Sequence, residues 1–256
     1  SSTTSRAVIQ HDLASGNNVY ASLSEGFKAG GYATYECTEP YDPEEVTSLE
    51  FGFKGSLGEN TSLNASLFRY DYTDFQVLQV VGIQTVTRNA GDATVNGLEL
   101  EALSNLNDSL SMSYGLTLLD ATYGEFLNTN GLEPQLGQQQ LEGKYLNNAP
   151  KVSVNLGLNY TTNLSSGSSL TYRANAAYKS KIYFSEFNEY SQSAYTIVDL
   201  NLIWESADDR MRTRFYVKNA TDEEYISGYL SSATGGGRFG QWGYPRTAGI
   251  EIQRNF

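Results

Sequence analysis

The sequence predicts an all-β protein, an antiparallel transmembrane β-barrel. Three observations carry that expectation: long segments in which apolar and polar residues alternate, connections that alternate between short and long, and aromatic residues gathered towards segment ends.

Residues 150–162 show the first most cleanly. Val152, Val154, Leu156, Leu158 and Tyr160 fall on one parity, and Lys151, Ser153, Asn155, Gly157 and Asn159 on the other. Successive strand side chains point to opposite faces, so this pattern makes one apolar and one polar face. Leu170, Tyr172, Ala174, Ala176 and Tyr178 repeat it, as do Leu110, Met112, Tyr114, Leu116 and Leu118, and Val198, Leu200, Leu202 and Trp204. Ten segments of this kind run along the chain: 18–28, 45–56, 61–75, 92–103, 109–123, 150–162, 169–184, 194–205, 211–220 and 245–256. They exceed the ~5–6 residues of an average strand and match the ~9–11 that cross a bilayer at a tilt.

Four connections are short (56–61, 104–108, 163–168 and 206–210) and rich in Gly, Asn, Asp and Ser, as tight turns require. Five are mostly longer: 29–44, 76–91, 124–149, 185–193 and 221–244. The alternation puts turns at one end of the sheet and loops at the other, the plan of outer-membrane barrels. Tyr160, Tyr178 and Trp204 lie where aromatic girdles meet lipid headgroups. Between Leu63 and Tyr72 the apolar set changes phase. A bulge between Leu67 and Phe68 would account for it, and so would the strand leaving the bilayer. Residues 1–17 read as a polar lead-in segment.

The chain has 256 residues, with 17 basic against 29 acidic side chains and a net charge of −12. That balance argues against a nucleic-acid partner, which needs a basic face. No stretch approaches the ~18–20 apolar residues of a spanning helix. One cysteine and one histidine exclude a disulfide framework and a multi-cysteine or histidine-rich metal centre. No catalytic residues, metal ligands or cofactor are expected. His11 precedes the first of the ten strands, where no Asp–His or Ser–His pair reaches the loop end.

The segments VYASLSEGFKAGGY, FRYDYTDFQV, NAGDATVNGLELE, NAPKVSVNLGLNY, FYVKNATDEEY and YPRTAGIEIQRNF, in that order, resemble the C-terminal half of TonB-dependent outer-membrane receptors. The likeness runs from about Tyr20 to Phe256. It implies that residues 18–256 are the last ten strands of a 22-stranded barrel, with the plug domain outside this chain. The chain is then a fragment or one half of a split receptor. A small, self-closed structural or porin-like barrel is the reading from a different class.

The resemblance further implies bacterial outer-membrane localisation and uptake of a scarce nutrient, a ferric siderophore foremost, with oligosaccharide, cobalamin and haem as alternatives. It implies three partners besides the ligand: the TonB complex, reached through the plug; the barrel assembly machinery, for which Phe256 is the signal; and lipopolysaccharide or outer-membrane lipid. An enzyme is not expected.

Arg238, Phe239, Trp242 and Tyr244, in the segment SSATGGGRFGQWGYP, are the candidate ligand contacts, because an arginine among aromatics suits an anionic aromatic chelate. That segment reads as a flexible loop. Its match to G-x-G-x-x-G at Gly235, Gly237 and Gly240 lacks the strand–turn–helix context of a dinucleotide site. Asn219, Asp222 and Tyr225 read as a structural turn, and Glu99 and Glu101 as lumen lining. Cys37 lies in an acidic loop with Glu36, Glu39, Asp42, Glu44 and Glu45, and either a disulfide partner outside this chain or a free thiol is expected.

Overall fold

The structure, a computed structural model, describes residues 3–33, 36–81, 84–232 and 237–256. The side chains of Glu36, Cys37 and Glu39, and all of Gly235, lie outside the described part.

In chain order the strands are β1 (Arg6–Asp12), β2 (Asn18–Lys28), β3 (Gly31–Ala33), β4 (Glu36–Tyr41), β5 (Glu44–Leu57), β6 (Thr61–Thr73), β7 (Gln76–Val81), β8 (Gln84–Asn89), β9 (Ala93–Asn107), β10 (Leu110–Tyr123), β11 (Leu127–Thr129), β12 (Gln138–Gln140), β13 (Val152–Asn163), β14 (Ser169–Lys179), β15 (Ile182–Tyr183), β16 (Ser191–Gln192), β17 (Tyr195–Glu205), β18 (Met211–Lys218), β19 (Ile226–Ser232), β20 (Gly237–Trp242) and β21 (Thr247–Arg254). Eleven form one antiparallel sheet in the order β1-β2-β5-β6-β9-β10-β13-β14-β17-β18-β21. The other ten form five two-stranded hairpins, one inside each long connection.

All ten expected strands are present in this sheet, and β1 is an eleventh, lying in the segment read as a polar lead-in. Its alternation is masked because Ala7, Val8 and Ile9 are consecutively apolar. Pairing with β2 puts Ala7 and Ile9 on the face of Leu23 and Ala21, and Val8 and Gln10 on that of Ser22 and Tyr20. The sheet strand expected to reach residue 184 ends at Lys179, and Ile182–Tyr183 belongs to a loop hairpin. The 104–108 turn is tighter than expected, because Asn107 Oδ1 accepts from the backbone N–H groups of Ser109 and Leu110 at 2.9 and 3.0 Å.

The phase change in β6 is not a bulge. Pairing runs unbroken through Phe51↔Leu67 and Glu50↔Phe68 on one side and Leu67↔Leu98 and Phe68↔Gly97 on the other. Phe68 therefore faces inward, where its ring covers Gly97 so closely that a Cβ there would collide with it. The outward face turns from Leu67 to Arg69 and Asp71, joined by two hydrogen bonds of 2.8 and 2.7 Å. This is a strand leaving the bilayer.

Register traces that boundary across neighbouring strands. One outward row reads Ala21, Phe51, Leu67, Leu98, Leu118 and Val152. The next row towards the loops reads Leu49, Arg69, Asn96 and Asp120, and the one beyond it Thr47, Asp71, Thr94, Thr122 and Tyr145. The inward face is polar, with Glu50, Lys54, Glu99, Glu101, Arg173 and Asn201 among others, and ion pairs Arg212–Glu205 and Arg214–Glu251 of 3.4 Å each.

The accessible surface is 15849 Å², against roughly 11,200 Å² for a compact monomer of 28.2 kDa. The excess comes from an open sheet whose two faces and two edge strands, β1 and β21, are uncovered; on its outward face Leu23, Phe51, Leu67, Leu156, Leu200, Phe215 and Ile250 are all exposed. A water-soluble sandwich would bury them. In a bilayer they are solvated by lipid, while the backbone groups of adjacent strands pair with one another along the sheet.

Candidate ligand-binding site

The buried hydrophobic cluster of the described residues sits at the loop end of the sheet. Ala90, Tyr123, Phe126, Leu141 and Phe187 form it, with Phe75, Val77 and Leu146 packed against them. Three long connections thus share one core. Polar ties reinforce it: Asn128 Nδ2 donates to Glu186 at 3.0 Å, Asn130 Nδ2 to Glu189 at 3.1 Å, and Lys144 Nζ to the Phe187 carbonyl at 2.8 Å. Asn188 accepts from the Tyr145 N–H at 2.7 Å and donates back to its carbonyl at 2.9 Å. The result is a packed cap.

Burial pushes the Glu186 carboxyl above its ordinary 4.5, against the opposing hydrogen bonds from its own backbone, Asn147 and Asn128 and with a smaller push from Glu189. A raised folded-state value means that the folded cap holds this proton more tightly than the unfolded chain. The ionisation penalty is absent below the ordinary value and complete once pH exceeds the raised one. Cap stability from this group therefore falls as pH rises through that window. Glu186→Gln is expected to flatten the dependence, read as hydrogen-exchange protection of residues 124–149 against pH. An unchanged slope would assign it elsewhere.

The β19–β20 hairpin docks beside the cap. Phe184 and Tyr229 stack at 5.6 Å and Tyr190 and Tyr229 at 5.3 Å, with the Arg238 guanidinium 4.1 Å from the Tyr190 ring centre. Arg238 Nη2 also reaches Glu133 Oε1 at 3.4 Å, linking two connections. Burial raises the Tyr229 hydroxyl above its usual range, opposed by the nearby Arg238 charge.

The expected contacts are thus divided. Arg238 belongs to the aromatic stack. Phe239 pairs across the hairpin with Leu230, and both are exposed. Trp242 pairs with Ile226 and is 66% exposed, while Tyr244 is 87% exposed. The segment read as flexible forms, in its described part, the end of strand β19 and strand β20. Phe184, Tyr190, Tyr229 and Glu133 were missed, although the aromatic density of residues 183–190 was a usable signal.

Asn219 and Asp222 form the structural turn expected of them. Both adopt positive φ, 47° and 55°. Asn219 Nδ2 donates to the carbonyls of Glu223 (2.9 Å) and Tyr244 (3.1 Å), and Asp222 Oδ1 accepts from the Arg246 N–H at 2.8 Å. These bonds hold both ends of the β19–β20 connection together. Tyr225 stacks on Tyr195 at 4.7 Å. Glu99 and Glu101 line the inward face, as expected.

Fold and site together define part of the wall of an outer-membrane β-barrel, an open sheet with a polar inward face and a packed cap at its loop end. The chain belongs to the TonB-dependent receptor family: the family described as "TonB dependent receptor-like, beta-barrel" matches residues 1–220. Among curated relatives, the ferrioxamine B receptor of Salmonella typhimurium (strain SL1344) is 23% identical over 226 residues, 87% of this chain and 30% of that receptor. The pesticin receptor of Yersinia enterocolitica (serotype O:8 / biotype 1B) is 26% identical over 244 residues, 93% of this chain and 34% of that receptor. The chain spans about a third of the length of these relatives.

Of solved structures, the ferric yersiniabactin uptake receptor from Yersinia pestis superposes with a TM-score of 0.82 at 22% identity, covering 98% of this chain and 37% of that one. The siderophore receptor PiuA from Acinetobacter baumannii gives 0.76 at 21% identity, covering 96% and 35%. A copper transporter shares the fold at 0.69 and 16% identity, covering 98% and 39%, so the fold alone selects no cargo.

Proposed function

We propose that the chain is the C-terminal portion of the barrel of a TonB-dependent receptor that binds a ferric siderophore outside the cell and imports it. Residues 18–256, extended at their edge by β1, supply barrel wall and extracellular cap. The observation that carries the reading is the arginine-capped aromatic stack of Arg238, Tyr190, Tyr229 and Phe184 at the barrel mouth. A guanidinium over aromatic faces suits a chelate that is anionic and carries flat rings. Glu133 holds Arg238 in the absence of such an anion, and binding exchanges its carboxylate for an anionic oxygen of the chelate. Phe239, Trp242 and Tyr244 add contact area at the lip.

Import draws on the TonB complex through the plug. The role is transport without catalysis. The test is equilibrium binding of ferric hydroxamate, catecholate and phenolate siderophores to the purified protein. Arg238→Ala is expected to weaken the preferred one about 10- to 100-fold, the worth of a charge-assisted hydrogen bond. Unchanged affinity would remove Arg238 from the site. Binding of an oligosaccharide, cobalamin or haem in place of every ferric siderophore would reassign the cargo.

A further inference from the structure

Among the described residues, five buried side-chain nitrogen or oxygen atoms have no hydrogen-bond partner: Gln139 Nε2, Ser185 Oγ, Tyr229 Oη, Arg212 Nε and Arg214 Nε. The two arginines stand on the inward wall, each with a carboxylate at 3.4 Å. The other three atoms belong to neutral groups, and all three lie at the loop end of the sheet. Buried donors normally find a partner, because a bare one keeps the full cost of its lost hydration. Three together call for a common cause.

Their contacts put them along one seam. Tyr229, on the β19–β20 hairpin, stacks on Phe184 and Tyr190. Ser185 directly follows Phe184 and precedes Glu186, whose carboxylate accepts from Asn128 Nδ2 at 3.0 Å. Asn128 is the cross-strand partner of Gln139 in the β11–β12 hairpin, so these two side chains leave the same face. Tyr229, Ser185 and Gln139 thus come from three connections and meet through the short run Phe184, Ser185 and Glu186. The Arg238 guanidinium, over the Tyr190 ring, brings positive charge to the Tyr229 end of the seam.

We propose that Tyr229 Oη, Ser185 Oγ and Gln139 Nε2 donate hydrogen bonds to the acceptor oxygens of an anionic ferric chelate, and so select chelates whose iron is held by oxygen. The inference rests on the siderophore reading and names what that ligand must present. Gln139 Nε2 can only donate, and both hydroxyls donate freely, so the seam asks for acceptors. Hydroxamate, catecholate and carboxylate oxygens on iron keep lone pairs directed outward. A chelate that presents ring sulfur or ring nitrogen at these places leaves the donors bare, which costs affinity. All three atoms are covered in the free protein. The ligand reaches them as the β19–β20 hairpin parts from the cap and Arg238 leaves Glu133.

The test measures two quantities on the protein purified as it is produced and on Tyr229→Phe, Ser185→Ala and Gln139→Met. One is affinity for a ferric trihydroxamate and for a ferric tris-catecholate. The other is hydrogen exchange of the unliganded protein across residues 124–149, 184–193 and 226–242. Removing a group that has no partner costs the free protein no bond. Exchange should therefore hold steady or slow in each variant, while affinity for the chelate that wild type prefers falls about 5- to 10-fold, the worth of one neutral hydrogen bond. Gln139→Glu, which replaces a donor by a negative charge, should weaken binding further. Unchanged affinity in any two of the three variants would overturn the proposal. So would lost affinity matched by faster exchange, the mark of a bond to ordered water or of a packing role. Failure of wild type to bind either chelate would contradict the siderophore reading itself, and this inference with it.

Discussion

Phe126→Ala is expected to loosen the extracellular cap by about 3–5 kcal/mol, the usual cost of removing a buried aromatic side chain, and to leave the eleven-stranded sheet in place. Phe126 is 2% exposed, its ring lies 5.3 Å from that of Tyr123, and its carbonyl accepts from the Leu141 N–H at 2.8 Å. The cavity would open at the centre of the cluster that joins residues 74–91, 124–149 and 184–193. The barrel strands draw their stability from backbone pairing and lipid, which the substitution does not touch. Hydrogen exchange should therefore accelerate across those three connections while β13 and β14 keep their protection. Siderophore affinity should fall with it, because Glu133 and Tyr190, which hold Arg238, stand on the loosened segments. Uniform acceleration over the sheet would mean that cap and barrel unfold as one unit. No change would mean that the cluster bears no load.

Asn219→Ala is expected to cost roughly 3 kcal/mol. Asn219 is 4% exposed and makes three side-chain hydrogen bonds, two to the carbonyls of Glu223 and Tyr244 and one from the Glu223 N–H at 2.8 Å. Each partner left unsatisfied costs about 1 kcal/mol or more. Alanine would also have to hold the left-handed conformation at φ 47°, which asparagine tolerates and alanine does so only at a further ~1 kcal/mol. Asn219→Gly separates the two contributions, since it removes the bonds and relieves the strain. Urea unfolding in detergent, followed by exchange at residues 219–246, should rank wild type above Gly above Ala. Equal loss in the two variants would leave strain with no part in the effect.

The sheet was legible in the sequence because lipid on one side and a polar lumen on the other impose strict period two. Segments such as Val152–Tyr160 show it without interruption. The pattern failed where its cause ends. In β6 the outward face leaves lipid at Arg69, and the lumen side takes Phe68, Tyr70 and Tyr72 instead, so a change of environment looked like a change of phase. In β1 the inward Val8 fills a polar parity position and hides the strand. The site was only half legible. Arg238 was identifiable by its charge among aromatics, but Glu133, Phe184, Tyr190 and Tyr229 come from three connections separated by up to about a hundred residues. No local pattern announces that loops pack on one another. The sequence motif around Asn219 was read correctly as structural because Asn and Asp have a specific reason to occupy such turns, namely a short side chain that bonds nearby backbone.

The measurement that bears most directly on the whole account is uptake of radioactive iron, supplied as single ferric siderophores, by iron-starved cells with and without this gene. At least one ferric siderophore should enter gene-dependently, and that entry should vanish when TonB is removed or when Arg238 is replaced. Gene-independent entry of every ferric siderophore, or gene-dependent entry that persists without TonB, would contradict the assignment of this barrel to energised siderophore import.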